Sequence, residues 1–450
     1  MATKQGKYTQ HAVGATAKTR LVAPKSLEQL QAALQPAANM PTPIRPMGAN
    51  STSTQCTSAV GGTVIDMKTL NRITDISEET VTCEAGVTLR ELADCLADKG
   101  MELSGALDLV NRTVGGAVAS GCFGPTHDGA SAIIASQVVR LRVVTADGRL
   151  MTVDGNSGNL LQVMRCSFGA LGVIYDLTLK IRPIQPFVLK QRKMDIKTFG
   201  HAATTLTNQP IGLKCFFLPF KDTVYAELRR PQEPGKRVNG FSWKLKDMGE
   251  TSVLPKICTS LSRIVPIAGL RYSLVDGLHD MGQSMLTNTL TETGHYAAEF
   301  RSQGTGSYKA PPLEYTTWCF PCDNIGMLLT AYQAFAKDYY AVNKYRCDMP
   351  VVGMRLPRDD SALLSPSHEA PMFALRFVSS PDPQWEDFAM DLAEFAERWG
   401  AVPLLNQSRC AEPSSTTAAF GTRLDFFRKI RRTLDPESRL LNPFLSQYLR

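Results

Sequence analysis

Thr42-Pro-Ile-Arg-Pro-Met-Gly-Ala-Asn-Ser-Thr-Ser-Thr54 is the stretch whose reading decides the fold. A short apolar strand stops at Pro46. Gly48 then permits backbone angles closed to other residues, and small polar residues run from Asn50 to Thr54. Such a loop lets several N–H groups converge on one point with hydroxyls alongside, which suits a diphosphate. Downstream, residues 104 to 129 read Ser-Gly-Ala-Leu-Asp-Leu-Val-Asn-Arg-Thr-Val-Gly-Gly-Ala-Val-Ala-Ser-Gly-Cys-Phe-Gly-Pro-Thr-His-Asp-Gly. The glycines with interleaved Ala and Ser let backbone approach a large planar ligand, or alternatively let a helix pack tightly on a sheet. Neither stretch is a Gly-x-Gly-x-x-Gly dinucleotide fingerprint, and the chain has no Walker lysine loop.

Working outward, the chain alternates strand and helix over its first 185 residues. Thr19–Ala23 reads as a strand, and Ser26-Leu-Glu-Gln29 has the form of a capping box opening a helix to Leu34. Strands follow at Pro43–Pro46, Gly62–Asp66 and Thr80–Glu84, then a helix capped by Thr88-Leu-Arg-Glu91 and running to Gly100. Ser136–Thr145 alternates as a strand, Ala146-Asp-Gly148 is a hairpin turn into Arg149–Val153, and Gly169–Leu179 gives a glycine-rich turn and a strand. These readings predict an α+β fold. Residues 1–186 form one domain, 187–405 a cap with long strands such as Gly212–Leu218, and 406–450 a segment returning to the first domain. Leu254–Leu278 is amphipathic and reads as a surface helix pair or lid, with a membrane-contacting face as the alternative. The basic run Phe427-Arg-Lys-Ile-Arg-Arg432 reads as a solvated helix face.

Composition sets wider bounds. The 450 residues suffice for two or three domains, and 43% hydrophobic with 20% charged residues describes a soluble globular protein. A net charge of +7 without a block of like charges gives no case for nucleic acid. No run is long enough for a clear membrane segment, and the N-terminus has no apolar core of a signal peptide. The 11 scattered cysteines read as free thiols in a reducing, cytoplasmic setting, so the Asn50, Asn111 and Asn406 glycosylation triplets are accidental. Trp318-Cys-Phe-Pro-Cys322 imitates a thioredoxin motif outside any small βαβ unit, which argues against a redox role. The six histidines lack metal-ligand spacing, so no metal is expected.

Taken in order, these segments resemble the PCMH-type FAD-binding fold of the vanillyl-alcohol-oxidase superfamily, and within it the aldonolactone and alditol oxidase branch. Arg45-Pro-Met-Gly48 resembles the first diphosphate loop. Asp108 with Thr113-Val-Gly-Gly116 and Ser120-Gly-Cys-Phe123 resembles the second, and Phe168–Ile174 the third flavin-contacting turn. Leu313-Glu-Tyr315, Met354-Arg-Leu and Leu364-Ser-Pro366 follow in the family's order through the cap, and Leu434–Leu445 resembles its closing segment. The resemblance implies a two-subdomain FAD-binding domain plus an α+β cap with an antiparallel sheet. It also implies cofactor contacts from Pro46, Met47, Gly48, Ala49, Asn50, Ser51, Thr52, Asp108, Thr113, Gly116, Ser120, Gly121, Cys122, Phe123 and Ile174.

The departures from the pattern matter as much. Relatives with covalent flavin carry His where Ser51 stands, so FAD is expected to bind without a covalent link. Sugar-oxidising relatives place Glu-x-Arg in a cap strand and His-Trp-Gly-Lys near the C-terminus. Here Gly353-Met-Arg355 keeps only the Arg, and the run becomes Leu404-Leu-Asn-Gln407. Gln accepts and donates hydrogen bonds but abstracts no proton, and the two leucines suggest an apolar pocket. Arg355 is the leading catalytic candidate, with Gln407 and Glu314 behind it and Tyr315 weaker still. The implied activity is hydride removal to flavin from an alcohol, lactone, amine or hydroxy-heterocycle that is not a simple sugar, with O2 or another electron acceptor. Leu107 stands where family oxidases carry a smaller residue, which leans toward hindered oxygen access. The alternative is a flavin-binding protein without substrate oxidation that acts as a binding or assembly module. A reductase sharing the FAD domain is disfavoured by the long cap and the closing segment.

Overall fold

The computed structural model describes residues 19–104, 111–206, 209–232, 253–289, 293–296 and 313–450. Three sheets carry the architecture. A small parallel sheet orders Arg20–Val22, Thr63–Asp66 and Ile44–Met47, and its last strand delivers the first glycine loop. A five-stranded antiparallel sheet orders Ile73–Ile76, Thr80–Glu84, Val173–Lys180, Val138–Val144 and Leu150–Asp154. Val173–Lys180 is central and buried along nearly its whole length, and its one buried acid, Asp176, is paired with Arg142 from the neighbouring strand.

The third sheet is antiparallel and eight-stranded. It orders Thr293–Tyr296, Pro186–Met194, Thr223–Pro231, Gly212–Leu218, Val351–Leu356, Met372–Ser379, Glu314–Pro321 and Val402–Pro403. Its two faces differ. Phe217 and Phe377 point to one side, where Tyr332 packs 6.1 and 4.8 Å away between ring centroids. Helices Ile325–Asn343 and Trp385–Arg398 cover that side through Tyr332, Phe335 and Phe395. Strand alternation turns Tyr315, Thr317 and Arg376 to the opposite face.

Local chemistry sets the element ends as the sequence predicts. Ser26 accepts from the Gln29 N–H, and Thr88 with Glu91 forms a complete capping box. Two boundaries move. The strand expected from Ser136 begins at Val138, after a short 3-10 turn at Ile134–Gln137. The amphipathic segment becomes two helices, Leu254–Ile264 and Ala268–Thr289, separated at Pro266, where the missing N–H and fixed φ break the first helix.

The basic run at the C-terminus is only partly a solvated face. Helix Thr422–Leu434 buries Phe427 and Arg431, and the Arg431 guanidinium donates to the Asp435 carbonyl and the Ser438 hydroxyl at 3.1 Å each. An arginine at a helix C-terminus satisfies carbonyls left without intrahelical partners, which is why this one turns inward. Asp435 then accepts the Arg439 and Leu440 N–H groups at 2.9 and 2.8 Å. Asn442 donates to the carbonyls of Gln55 and Ser58, at 2.8 Å each, fastening the closing segment beneath the first loop.

Candidate active site

The first loop, the second glycine stretch and the 168–174 turn converge on one cleft. Pro46 through Thr52, Thr113, Gly116, Ser120 and Ile174 all line it. The loops touch so closely that a Cβ on Gly48 would lie 2.0 Å from the Thr113 hydroxyl oxygen, which leaves glycine as the residue that fits. Thr113 in turn caps the short helix Val114–Ala119 by accepting the Gly116 N–H. Gly169 has φ +68° and lies against Pro46, so the third turn also brings bare backbone to the wall. Walls poor in Cβ atoms and rich in backbone N–H groups fit an elongated diphosphate cofactor with a flat ring system.

Three sequence-predicted contacts are placed differently. Gly121, Cys122 and Phe123 lie behind the wall: a Cβ on Gly121 would meet the Cys166 sulfur, and Cys122 and Phe123 are buried in the core. Asp108, like Leu107, lies outside the described residues. The hydroxyls of the first loop also turn away from the cleft. Thr52, Ser53 and Thr54 donate to the carbonyls of Asn406, Gln407 and Leu405 at 2.7, 2.9 and 2.7 Å. They tie the loop to the segment after strand Val402–Pro403, so what these three positions leave for a diphosphate is backbone.

Sequence reading left two arginines without a role. Arg45 is fully buried, with its guanidinium donating to the carbonyls of Cys56, Gly169, Leu440 and Phe168. It therefore locks the first loop, the third turn and the closing segment together, with acceptors up to 395 positions from Arg45 in sequence. Arg112 donates to the Cys122 sulfur at 2.7 Å and lines both the cleft and an adjoining open cavity on the cap side. Its only sequence signal was its place just before Thr113.

The cap-side cavity shares Asn50, Ser51, Thr52, Thr57 and Arg112 with the cleft and adds Glu314, Tyr315, Arg376 and Arg409. The Tyr315 hydroxyl donates to the Ser51 carbonyl at 2.5 Å, joining cap to loop. Glu314 is held by Arg409 at 2.9 Å. Gln407 is buried, and its side-chain oxygen accepts from Thr317 at 3.0 Å, with Arg376 reaching the same hydroxyl at 3.4 Å.

Arg355 is set apart from this group. It shares the sheet face of Gly353, where a Cβ would meet Cys215 and Phe373 on the helix-covered side, and it lines neither cavity. Burial lowers its pKa from the ordinary value while nearby Cys322 acts the other way. Leu404 and Leu405 belong to the main core rather than to a pocket wall, so they do not make a substrate site apolar.

Two other sequence features resolve by burial. His127 is buried, stacked 5.2 Å from Phe187, and its pKa falls to about 4 because burial penalises the cation. Cys319 is fully buried with its thiol pushed up, and Cys322 is raised to about 12 by burial. Neither is the low-pKa thiolate a redox motif needs. All eleven cysteines are free thiols.

Comparison with known proteins agrees with this geometry. A family model described as an FAD binding domain matches residues 19–154. The chain is 26% identical over 255 residues to an L-gulono-1,4-lactone dehydrogenase of Mycobacterium tuberculosis, covering 56% of this chain and 58% of that protein. It is 35% identical over 127 residues to mouse L-gulonolactone oxidase, covering 27% of this chain and 28% of that one. The chain thus spans less than two thirds of the curated relatives it matches. A cholesterol oxidase from Brevibacterium sterolicum shares the fold at a TM-score of 0.75 and 14% identity, covering 96% of this chain and 94% of that one.

Proposed function

We propose, starting from a chain that belongs to the vanillyl-alcohol-oxidase superfamily through its FAD-binding domain, that this protein is an FAD-dependent oxidoreductase. The observation that carries the reading is the convergence of three separate segments, 46–52, 113–120 and 168–174, on one cleft walled by backbone. FAD bound there supplies a two-electron acceptor for hydride from a substrate carbon. The chain's own part is to bind, orient and exclude water: Arg45 fixes the loops, and Tyr315 closes the cap onto Ser51.

The cofactor is held without a covalent link. Ser51 offers no ring nitrogen, and no histidine lines the cleft among the described residues. Cys56 does line it, but burial raises its thiol pKa and so lowers its thiolate fraction. Acid precipitation is expected to release all the flavin; yellow colour retained in the pellet would overturn this.

The substrate is an alcohol, lactone, amine or hydroxy-heterocycle other than a simple sugar. The wall of charged and hydrogen-bonding groups in the cap-side cavity, Glu314, Arg376 and Arg409, supports a substrate with a polar or anionic end. Gln407, buried against Thr317 and lining neither cavity, does not act as base. Anaerobic flavin bleaching across alcohols, hydroxy acids, lactones, amines and sugars tests both points. Best reduction by a simple aldonolactone or alditol would overturn the substrate reading. No reduction by any class would favour the flavin-binding module, a reading that the core-facing Arg355 also supports. The eleven free thiols support a reducing compartment.

A further inference from the structure

We propose that Arg112 fixes the choice of substrate: its guanidinium binds the carboxylate of a 2-hydroxy acid, which is oxidised at the carbon beside that carboxylate. The assignment rests on FAD-dependent oxidation and narrows its substrate class. Five residues line both the cofactor cleft and the cap-side cavity, namely Asn50, Ser51, Thr52, Thr57 and Arg112, and Arg112 alone among them is charged. It is half-buried. Its neighbours are the Cys122 sulfur, a weak acceptor at 2.7 Å, and the Tyr315 hydroxyl; no carboxylate stands against it among the described residues. A guanidinium keeps its charge at any working pH, and drawing it out of water is costly until an anion meets it.

The acids of the cavity do not fill that place. Glu314 and Glu386 line its wall, and both are held by Arg409, Glu314 at 2.9 Å. A second cation of the wall, Arg376, lies over the Tyr315 ring at 5.7 Å from its centre, so two guanidiniums stand at Tyr315, one beside its hydroxyl and one over its face. The wall carries three arginines, Arg112, Arg376 and Arg409, against two glutamates, and its surplus is positive. Location then decides the substrate. Hydride reaches the cofactor only from a carbon at the opening between cavity and cleft, and Arg112 lines that opening. An anion on Arg112 therefore lies within a few bonds of the oxidised carbon, as the carboxylate of a 2-hydroxy acid does. Oxidation there takes a hydride from the carbon to the cofactor and releases the hydroxyl proton to solvent, leaving a 2-oxo acid. A neutral lactone or alditol offers nothing to meet the charge. Guanidinium and carboxylate match in plane and spacing, which makes the pair selective as well as attractive.

Titration calorimetry with oxalate, a planar dicarboxylate that has no C–H to give, tests this on the wild type with and without flavin and on two variants. The wild type is expected to bind oxalate. Arg112→Leu is expected to bind it about tenfold or more weakly, and Arg112→Lys, which keeps the charge without the planar fork, is expected to lose less. FAD affinity, measured by titrating the apoprotein, is expected to fall by a smaller factor than oxalate affinity in Arg112→Leu. The proposal fails if the flavin-loaded wild type does not bind oxalate, or if Arg112→Leu binds it equally well. It also fails if FAD affinity falls by the larger factor, which would give Arg112 to the cofactor diphosphate. Failure of the cofactor reading looks different: FAD is not bound at all, while oxalate binding and its loss in Arg112→Leu persist. Should Arg112→Leu misfold, oxamide, the uncharged isostere of oxalate, still decides, because equal binding of the two by the wild type overturns the proposal.

Discussion

The cofactor cleft and the cap helix pair are built on opposite plans. In the cleft, segments far apart in sequence are fastened by groups that meet backbone: Arg45 on four carbonyls, and the Thr52, Ser53 and Thr54 hydroxyls on three more. In the helix pair, one face is packed and the other presents apolar side chains to the surface. A site that must hold a diphosphate needs converging backbone donors held rigid. A surface element needs only its inner face fixed. The difference teaches that the same length of chain can be constrained by ligand geometry in one place and by amphipathic spacing alone in the other.

The largest expected effect breaks the cleft side of that comparison. Arg45→Met leaves buried carbonyls of three segments without a donor, a loss of about 3–5 kcal/mol. The thermal midpoint is expected to fall by roughly 10 °C and bound flavin to be lost; scanning calorimetry with flavin quantitation checks both. If the variant retains its midpoint, Arg45 is not the lock described.

Next, Gly48→Ala sets a methyl into the Thr113 hydroxyl. Flavin affinity is expected to fall about tenfold or more, the scale of an overpacked site. Thr113→Ala in the same chain is expected to recover part of it. Titration of apoprotein with FAD measures both.

On the cap side, His279 is buried beside the Cys258 sulfur at 3.4 Å, and burial lowers its pKa to about 4. Its unfolded value is about 6.5, so between those values the unfolded chain binds more protons than the folded one. The stability it contributes is full above pH ~6.5 and is lost as pH falls toward 4. Comparing wild type with His279→Gln by denaturant melts from pH 7.5 to 4.5 is expected to show a shallower acid loss in the variant. Parallel curves would mean that this histidine does not titrate on unfolding.

The smallest effect lies where the two regions meet. Tyr315→Phe removes one hydrogen bond to the Ser51 carbonyl, worth about 1 kcal/mol, so FAD affinity is expected to fall by up to about fivefold. A drop as large as that of Gly48→Ala would show that the cap, rather than the loop packing, governs cofactor retention.

Much of the cleft was legible because its chemistry is local. Gly48, Asn50 to Thr52, Thr113, Gly115 and Gly116 announce themselves by residue type, and the structure places all of them on the cleft wall. What was not legible depends on direction. Gly121, Cys122 and Phe123 sit in the right stretch but follow the end of the short helix Val114–Ala119, where Gly121 at φ +61° turns the chain back into the core. Arg355 has the right neighbours in sequence, yet strand register puts it on the helix-covered face. Arg45 and Arg112 had no signal beyond their places beside Pro46 and Thr113, because an arginine's role is set by which carbonyls or cavities lie around it.

The sequence by itself determined the α+β class, the capped helices and the glycine loops, because turn chemistry, caps and periodicity act within a few residues of one another; the cofactor came only through the resemblance of these segments to a known family. Tertiary structure alone decided that the loop hydroxyls face the cap and that the Arg45 guanidinium joins three segments. It also decided which faces of the cap sheet and helix pair are covered. Those outcomes depend on contacts between residues up to 395 positions apart, where register and packing, not local propensity, choose the partner.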